Sequence, residues 1–252
     1  MEKLDLISVV TVTLNSDKTI LDTLRSVAEQ EDIVVEHIIK DGGSSDTTLS
    51  LASSQPGSVR ILEQTDNGIY DAMNQGFRAA KGDIICFLNS DDYFIDARVL
   101  KDVLNAFRDS EAEIVYGDLE IIGNHGDVIR SWRSGEIIKG KLRGQQLPHP
   151  SFFVRRSIIE KLDRPFDDSY RIAADFKQQL LLINKLGSTT HYLQRPLVRM
   201  RHGGESSQSM SAVMDGWKEC MRAYREVTGK SGFVFVISKV ARKLRQMHLF
   251  NR

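Results

Sequence analysis

The sequence is poor in cysteine and carries no net charge, and each of these shortages excludes a class of protein. Two cysteines among 252 residues are too few for a disulfide framework, which favours a reducing compartment. Lys and Arg together number 34, as do Asp and Glu, so a protein that coats nucleic acid is disfavoured. No apolar run approaches the ~20 residues of a membrane-spanning helix, and the N-terminal segment does not resemble a signal peptide. We therefore expect a cytoplasmic protein.

Two common nucleotide-binding signatures are also missing. No GxGxxG follows a predicted strand, and no GxxxxGK[ST] occurs anywhere in the chain. A nicotinamide Rossmann site and a P-loop are therefore disfavoured.

Strand-like and helix-like segments alternate over residues 1–122. Strands are predicted at 6–14, 36–40, 59–62 and 84–88, where β-branched or apolar residues cluster. Helices are predicted at 18–29, after Asp46 and after Asn67-Gly68, where apolar residues recur at helical spacing. Strands separated by helices of this length predict right-handed βαβ units and a parallel sheet.

The apolar run at 84–88 is followed closely by two adjacent acids, Asp91 and Asp92. Adjacent carboxylates at the mouth of a buried strand repel each other unless a positive charge lies between them. Because Mg²⁺ and Mn²⁺ prefer oxygen ligands, the pair predicts a metal–diphosphate site. The alternative is a turn followed by a helix N-cap, a position that Ser90 and both acids favour.

Polar clusters follow three of the predicted strands, at 13–15, 41–46 and 89–92. In an open α/β sheet, ligands bind outside the carboxyl ends of the strands, so we expect the clusters to share one edge. Asp41 is suited to accept hydrogen bonds from a base or ribose, and capping of the next helix is the alternative.

The segments TLNSDKTILDTLRSVAEQ, IIKDGGSSDTT and DNGIYDAMNQGFRAAKGDIICFLNSDD resemble family 2 of the inverting glycosyltransferases. The resemblance covers residues 6–122 and extends more weakly to 149–176. It implies the GT-A fold, an α/β structure with a Rossmann-like, mostly parallel sheet flanked by helices, here with a C-terminal helical extension. Within the family, the chain is most similar to short bacterial enzymes that build exopolysaccharide, capsule or O-antigen.

The resemblance also implies roles for residues at the strand ends. Thr13, Asn15 and Asp41 would line the nucleotide pocket, with Asp41 facing the base. Asp91 would contact the diphosphate, and Asp91 and Asp92 would hold Mn²⁺ or Mg²⁺. The family's commonest form of this turn is Asp-Ser-Asp-Asp, whereas this chain begins it with an asparagine at position 89. An amide is a weaker ligand, but two carboxylates and phosphates suffice for Mg²⁺.

Inversion at an anomeric carbon requires a base that takes the proton of the attacking hydroxyl. Asp175 stands where the family's catalytic Asp precedes an amphipathic helix, so the resemblance implies that it is the base. An ordinary acid in the first turn of a helix is the alternative. His149 is expected to contact the acceptor or the pyrophosphate, and Trp132 to stack on a sugar; a structural hydrogen bond and simple packing are their respective alternatives.

His202 follows the predicted catalytic helix, where a histidine completes the metal shell in some GT-A enzymes, and imidazole can ligate Mn²⁺. The alternative is that Arg199, Arg201 and the glycines at 203 and 204 form a loop that closes over the diphosphate. Further on, residues 216–252 contain nine Lys or Arg against two acids, Glu219 and Glu226. A basic amphipathic helix is predicted at 233–247, and it would lie either on an anionic membrane surface or on its own domain.

We therefore expect a nucleotide-sugar-binding half at 1–122, an acceptor-binding and catalytic half at 123–210, and a helical extension at 211–252. The expected activity is metal-dependent, inverting transfer from a nucleoside diphosphate sugar to a glycan or polyprenyl-linked glycan in bacterial surface polysaccharide synthesis. The enzyme would be cytoplasmic, or peripheral on the inner face of the plasma membrane, with no nucleic-acid partner. A sugar-phosphate nucleotidyltransferase and a non-catalytic binding subunit are the alternatives.

Overall fold

The computed structural model describes residues 6–55, 59–123, 125–203 and 209–248, without the side chains of residues 139 and 243–248. Over these residues the chain forms the strands β1 (Leu6–Thr13), β2 (Val34–Asp41), β3 (Val59–Glu63), β4 (Ile84–Phe87), β5 (Asp92–Phe94), β6 (Ile114–Ile122), β7 (Val128–Trp132), β8 (Phe152–Arg155) and β9 (Thr190–Arg201). They make one sheet in the order β3-β2-β1-β4-β8-β6-β9-β5, with β7 paired to β6.

Helices cover both faces of the sheet. They are α1 (Ile20–Ala28), α2 (Thr48–Ser53), α3 (Ile69–Ala79), α4 (Val99–Asp109), α5 (Arg156–Ile159), α6 (Ala174–Gln179), α7 (Met210–Thr228) and α8 (Phe233–His248). Helix α6 continues directly into a π-helical segment, Leu180–Lys185. None of the described helices combines the length and apolar character needed to cross a membrane.

The four strands β3-β2-β1-β4 are parallel, which confirms the βαβ units predicted from sequence. Alternate residues of β1 enter different cores because side chains alternate across a strand. Val10 packs in the core that includes α3, whereas Val9 packs in the core that includes α4. Helix α3 approaches closely because Gly76 has no side chain; a Cβ there would lie 2.4 Å from Cγ1 of Val10.

The other half of the sheet is mixed. Strand β8 is antiparallel to β4 and β6, and β9 runs parallel to β6. The short strand β5 pairs antiparallel with the end of β9, with Asp92 opposite Met200 and Phe94 opposite Val198. The second of the two acids after β4 therefore begins a strand and not a helix. Phe94 of this strand and Val198 of β9 are buried together in the core.

The C-terminal helices pack on α6, so the helical extension expected from sequence is present. The ring of Phe235 in α8 stacks on Phe176 in α6 with 4.6 Å between centroids, and on Tyr224 in α7 with 5.1 Å. Cys220 and Ala223 of α7 are buried in the same core. The bounds predicted for α8, 233–247, differ by one residue from those observed.

Candidate active site

Three polar loops meet at one edge of the sheet, as the strand order requires. Strands β2, β1 and β4 are neighbours, and Thr13 at the end of β1 lies opposite Asp41 at the end of β2. The N–H of Gly42 donates to the carbonyl of Thr13 at 2.9 Å. The hydroxyls of Ser16 and Ser90 lie 2.8 Å apart and join the loop after β1 to the loop after β4. The predicted shared edge is therefore present.

The buried carboxylate of Asp41 organises the loop after β2. It accepts the N–H groups of Gly43 and Ser44, each at 2.8 Å, and the hydroxyl of Ser44 at 2.6 Å. Asn15 adopts a left-handed conformation with φ 49°, and its N–H donates to Oγ of Ser44 at 2.8 Å. Oγ1 of Thr13 is buried and has no hydrogen-bond partner among the described residues. Thr13, Asn15 and Asp41, which the sequence predicted to line the nucleotide pocket, thus lie close together at the ends of β1 and β2.

A buried lysine supports this wall from behind. Nζ of Lys40 donates to Oδ2 of Asp66 and to the carbonyl of Gln64, both at 2.7 Å, and to the carbonyl of Asp41 at 2.6 Å. Because an ammonium can be buried only when it is paired and hydrogen-bonded, these contacts fix the end of β2 against the segment that precedes α3.

The acid pair is strongly desolvated. Asp92 is fully buried, and burial, together with the charge of Asp91, raises its pKa well above the usual range. Burial also raises the pKa of Asp91, and the positive charge of Arg201 opposes the rise at both acids. Nδ2 of Asn89 donates to Oδ2 of Asp92 at 3.3 Å. Oδ1 of Asn89 and Oδ1 of Asp92 are buried and have no hydrogen-bond partner among the described residues.

These oxygens fit a hard divalent cation, which would remove the repulsion between the carboxylates of Asp91 and Asp92. No group of three His, Cys, Asp or Glu side chains suitable for a metal occurs in the part of the chain that the structure describes. The described residues would therefore supply a partial ligand set, as is common for Mg²⁺, which keeps waters and substrate phosphates as further ligands. His202 is exposed, and its backbone N–H donates to the carbonyl of Ile122 at 2.9 Å. Its metal role stays a prediction.

The alternative prediction, that Arg199 and Arg201 lie in a loop that closes over the diphosphate, is wrong. Arg199 and Arg201 belong to β9, because β9 pairs with β6 and β5 up to its end. Nε of Arg199 pairs with Glu120 at 3.0 Å, and Arg201 pairs with Asp22. The glycine at position 204 lies outside the described residues.

Asp175 lies in the first turn of α6 and receives two hydrogen bonds. The hydroxyl of Tyr70 donates to Oδ1 at 3.4 Å, and Nε2 of Gln146 donates to Oδ2 at 3.3 Å. Burial, with the charge of Asp175, raises the pKa of Tyr70 well above its usual range, so the phenol keeps its proton. His149 is half-buried, and its Nε2 is buried without a partner among the described groups; burial lowers the pKa of His149, and the charges of Asp175 and Asp91 oppose this.

The remaining predicted site residue, Trp132, packs against the protein. It ends β7 opposite Leu119 and contacts the core that includes α4. The guanidinium of Arg130 lies 5.1 Å from the centroid of its ring. Stacking of Trp132 on a sugar stays a prediction.

Sequence reasoning missed three residues that act around Asp175. Tyr70 lies inside the DNGIYDAMNQG segment, but nothing in that segment indicates which carboxylate it contacts. Gln146 carries no sequence signal. Glu219 was visible as one of two acids in a basic stretch, and its carboxylate binds the backbone N–H groups just before α6.

The raised pKa of Asp92 gives a stability prediction for the metal-free protein. An acid whose pKa is raised by folding costs stability as pH rises above its unfolded pKa. Asp92→Asn should therefore raise the free energy of unfolding at pH 7.5 by about 1 kcal/mol or more, and the gain should disappear as pH falls towards 4. Chemical denaturation across this pH range measures both.

Asp167→Asn is the matched control with the opposite sign. Although partial burial opposes it, hydrogen bonds from Lys177 and Ser169 lower the pKa of Asp167 to about 2. This substitution should lower stability at pH 7.5. A loss of stability in Asp92→Asn at the same pH would contradict the electrostatic account of the acid pair.

Comparison with known proteins identifies the family. The model of the glycosyl transferase family 2 matches residues 8–162. A "PGL/p-HBAD biosynthesis glycosyltransferase" of Mycobacterium bovis is 29% identical over 195 residues, which are 74% of this chain and 73% of the relative. An uncharacterized glycosyltransferase of Mycobacterium tuberculosis is 30% identical over 187 residues, 67% of this chain and 65% of the relative.

Solved structures show the same fold at low sequence identity. TarS 1-349 of S. aureus in complex with UDP-GlcNAc has a TM-score of 0.68 and 18% identity, covering 95% of this chain and 72% of that one. The mannosyltransferase PcManGT from Pyrobaculum calidifontis, in complex with GDP-Man and Mn2+, has a TM-score of 0.60 and 16% identity, covering 95% and 74%. The α/β, GT-A fold expected from sequence is therefore confirmed. The chain belongs to glycosyl transferase family 2 and is a nucleotide-sugar-dependent glycosyltransferase.

Proposed function

We propose that the protein transfers a sugar, with inversion and with the help of Mn²⁺ or Mg²⁺, from a nucleoside diphosphate sugar to a hydroxyl of a glycan or lipid-linked glycan. The observation that carries the proposal is the half-buried Asp91 beside the fully buried Asp92, whose Oδ1 has no partner among the described residues, at the sheet edge where Asp41 and Thr13 meet. A cation bound there would neutralise the diphosphate as it leaves. PcManGT, one of the structural neighbours, was solved with Mn2+.

The nucleoside binds between the ends of β1 and β2 in this proposal. Both oxygens of Asp41 already accept hydrogen bonds from the loop, but a carboxylate has about four acceptor positions, so it can also accept from the nucleoside. The unpartnered Oγ1 of Thr13 is a second polar contact. Asn15, which is exposed beside them, is the third.

Asp175 takes the proton of the acceptor hydroxyl in the proposed reaction. The hydrogen bonds from Tyr70 and Gln146 hold the carboxylate of Asp175 in one orientation, and a base must be placed within reach of the proton that it takes. The charges of Asp175 and Asp91 both act on His149, so the imidazole lies near the proposed base and near the proposed diphosphate site. As a neutral imidazole it is suited to contact the donor or the acceptor.

The acceptor assignment rests on the relatives. The mycobacterial relatives are named for PGL/p-HBAD biosynthesis. We propose that the acceptor is a glycan or lipid-linked glycan of bacterial surface polysaccharide synthesis, held by the half of the domain that contains His149, with Trp132 as a sugar contact.

The donor site predicts metal-dependent stabilisation by one class of ligand. Thermal unfolding is measured with UDP, GDP, dTDP, CDP and ADP, each with and without Mn²⁺. The preferred diphosphate, at about a hundred times its Kd, should add roughly 2.7 kcal/mol of stability only when Mn²⁺ is present. Asp91→Asn should abolish this gain. The absence of stabilisation by every diphosphate would remove the basis of the metal–diphosphate proposal.

The assignment of the base predicts a loss of turnover without a loss of donor binding. Asp175→Asn keeps the shape of the side chain but removes the proton acceptor, so kcat should fall by about 10²–10⁴. The stabilisation by diphosphate and Mn²⁺ should be unchanged. NMR of the product tests inversion directly through its anomeric configuration. Turnover close to that of the parent would show that another group is the base.

We further propose that the enzyme works at the cytoplasmic surface of an anionic membrane. Phe233, Val234 and Ile237 of α8 are 62%, 68% and 52% exposed and lie on one side of the helix. Residues 216–252 are strongly basic. Apolar side chains beside basic ones are the combination that binds an anionic lipid surface.

Vesicle sedimentation tests this attachment. The parent should bind vesicles containing phosphatidylglycerol and not those of phosphatidylcholine alone. Replacing both Phe233 and Val234 by Ser should weaken binding by roughly tenfold or more, since two buried apolar side chains are lost. Val34→Ser is the matched control, because Val34 is also 68% exposed but lies at the start of β2. Equal binding by the parent and the double variant would overturn the proposal.

A further inference from the structure

The helix that carries Asp175 lacks a cap of its own. Its N-cap residue is Ala173, which has no side chain that could accept a hydrogen bond. The first N–H groups of a helix need acceptors from elsewhere when they are shielded from water. No side-chain cap is present on α6 itself, and an acceptor on α7, far along the chain, instead binds the three N–H groups that lead into it.

Glu219 of α7 supplies it. One carboxylate oxygen accepts the N–H of Arg171 at 2.9 Å, and the other accepts those of Ile172 at 2.8 Å and Ala173 at 2.9 Å. Charge-assisted hydrogen bonds to backbone N–H groups are about twice as strong as neutral ones. The three bonds fix the backbone at residues 171–173, immediately before the helix that carries Asp175.

The surrounding residues make α7 a close-fitting support for this segment. Gly216, one turn before Glu219, lies against Ile172; a Cβ at Gly216 would be 3.3 Å from Cγ2 of Ile172. Phe235 of α8 stacks on Phe176, the residue that follows Asp175. Both sides of Asp175 along the chain are therefore held by the C-terminal helices.

Glu226, two turns after Glu219 on α7, makes a different kind of contact. Its carboxylate binds Nζ of Lys177 at 2.6 Å, Nε of Arg222 at 2.9 Å and the hydroxyl of Tyr170 at 2.8 Å. These bonds hold side chains and leave the start of α6 to Glu219. Glu226 therefore holds a side chain of α6, whereas Glu219 holds the backbone that leads into α6.

We propose that Glu219 of α7 is a positioning residue for the proposed base. This inference rests on the proposed function of Asp175. A base must lie within hydrogen-bond reach of the hydroxyl that it deprotonates, and a displacement of about 1 Å can cost about a hundredfold in rate. Glu219 keeps Asp175 in place without touching the substrate.

Kinetics of Glu219→Gln and Glu219→Ala test the proposal. Gln keeps the shape but offers one acceptor oxygen where Glu offers two, and Ala offers none. We expect kcat to fall by about tenfold for Gln and about a hundredfold for Ala, with KM for the donor within about twofold of the parent. Glu226→Gln, the matched control, should change kcat by less than about threefold. An unchanged kcat in both Glu219 variants would overturn the proposal.

A double-variant cycle separates positioning from a general loss of structure. If Glu219 acts only through Asp175, Glu219→Gln should cause no further loss of kcat in the Asp175→Asn background. An equal loss in both backgrounds would contradict the positioning role, even if Glu219→Ala fails to fold. Full activity in Asp175→Asn alone would instead refute the base assignment. Failure of the inference is therefore distinguishable from failure of the proposed function.

Discussion

The confinement of the half-buried Asp91 beside the fully buried Asp92 is the interaction on which the rest of the site depends. Asp92 is removed from water beside Asp91, and the local positive charge is insufficient because the guanidinium of Arg201 is shared with Asp22. Such a pair is unfavourable until a proton or a cation joins it. The fold therefore holds, at the end of its central strand, a site whose electrostatic cost falls when a cation binds. A ligand that brings both a cation and a diphosphate relieves this cost and is itself neutralised.

Neutral contacts keep the backbone of this strained pair in place. The carbonyl of Asp92 accepts the hydroxyl of Thr23 at 2.7 Å, and Ser90 is bonded to Ser16. The pairing of β5 with β9 fixes the chain immediately after the acids. None of these contacts neutralises a carboxylate, so they oppose separation of the acids without removing the demand for a cation. Rigidity and charge are thus supplied by different groups.

Local sequence signals explain which parts of the fold and the site could be predicted. The βαβ half follows from periodicity and turn residues, and the topology rule for strand ends then groups the loops after β1, β2 and β4. Strand β5 has only three residues and exists because β9 pairs with it from far along the chain, so no local pattern reveals it. The neighbouring glycines led to the prediction of a loop at Arg199 and Arg201, because the pairing of β9 with distant strands is likewise not visible in the local sequence. Tyr70 and Gln146 contact Asp175 only through tertiary packing, which one sequence does not display.

The basic C-terminal stretch illustrates the difference between composition and structure. Nine cationic residues dominate its composition. The carboxylates that support α6 are nevertheless those of Glu219, which binds the backbone before the helix, and Glu226, which binds Lys177 in it. One of the nine cations, Arg222, is a further partner of Glu226. The buried face of α7 and α8 packs on α6, while Phe233 and Val234 point to solvent. In the proposed arrangement, the helix pair α7 and α8 would contact the membrane on its exposed face and hold the segment that carries Asp175 on its buried face. Attachment and catalysis would then share a single structural element, because Phe235 of α8 stacks on Phe176, the residue that follows Asp175.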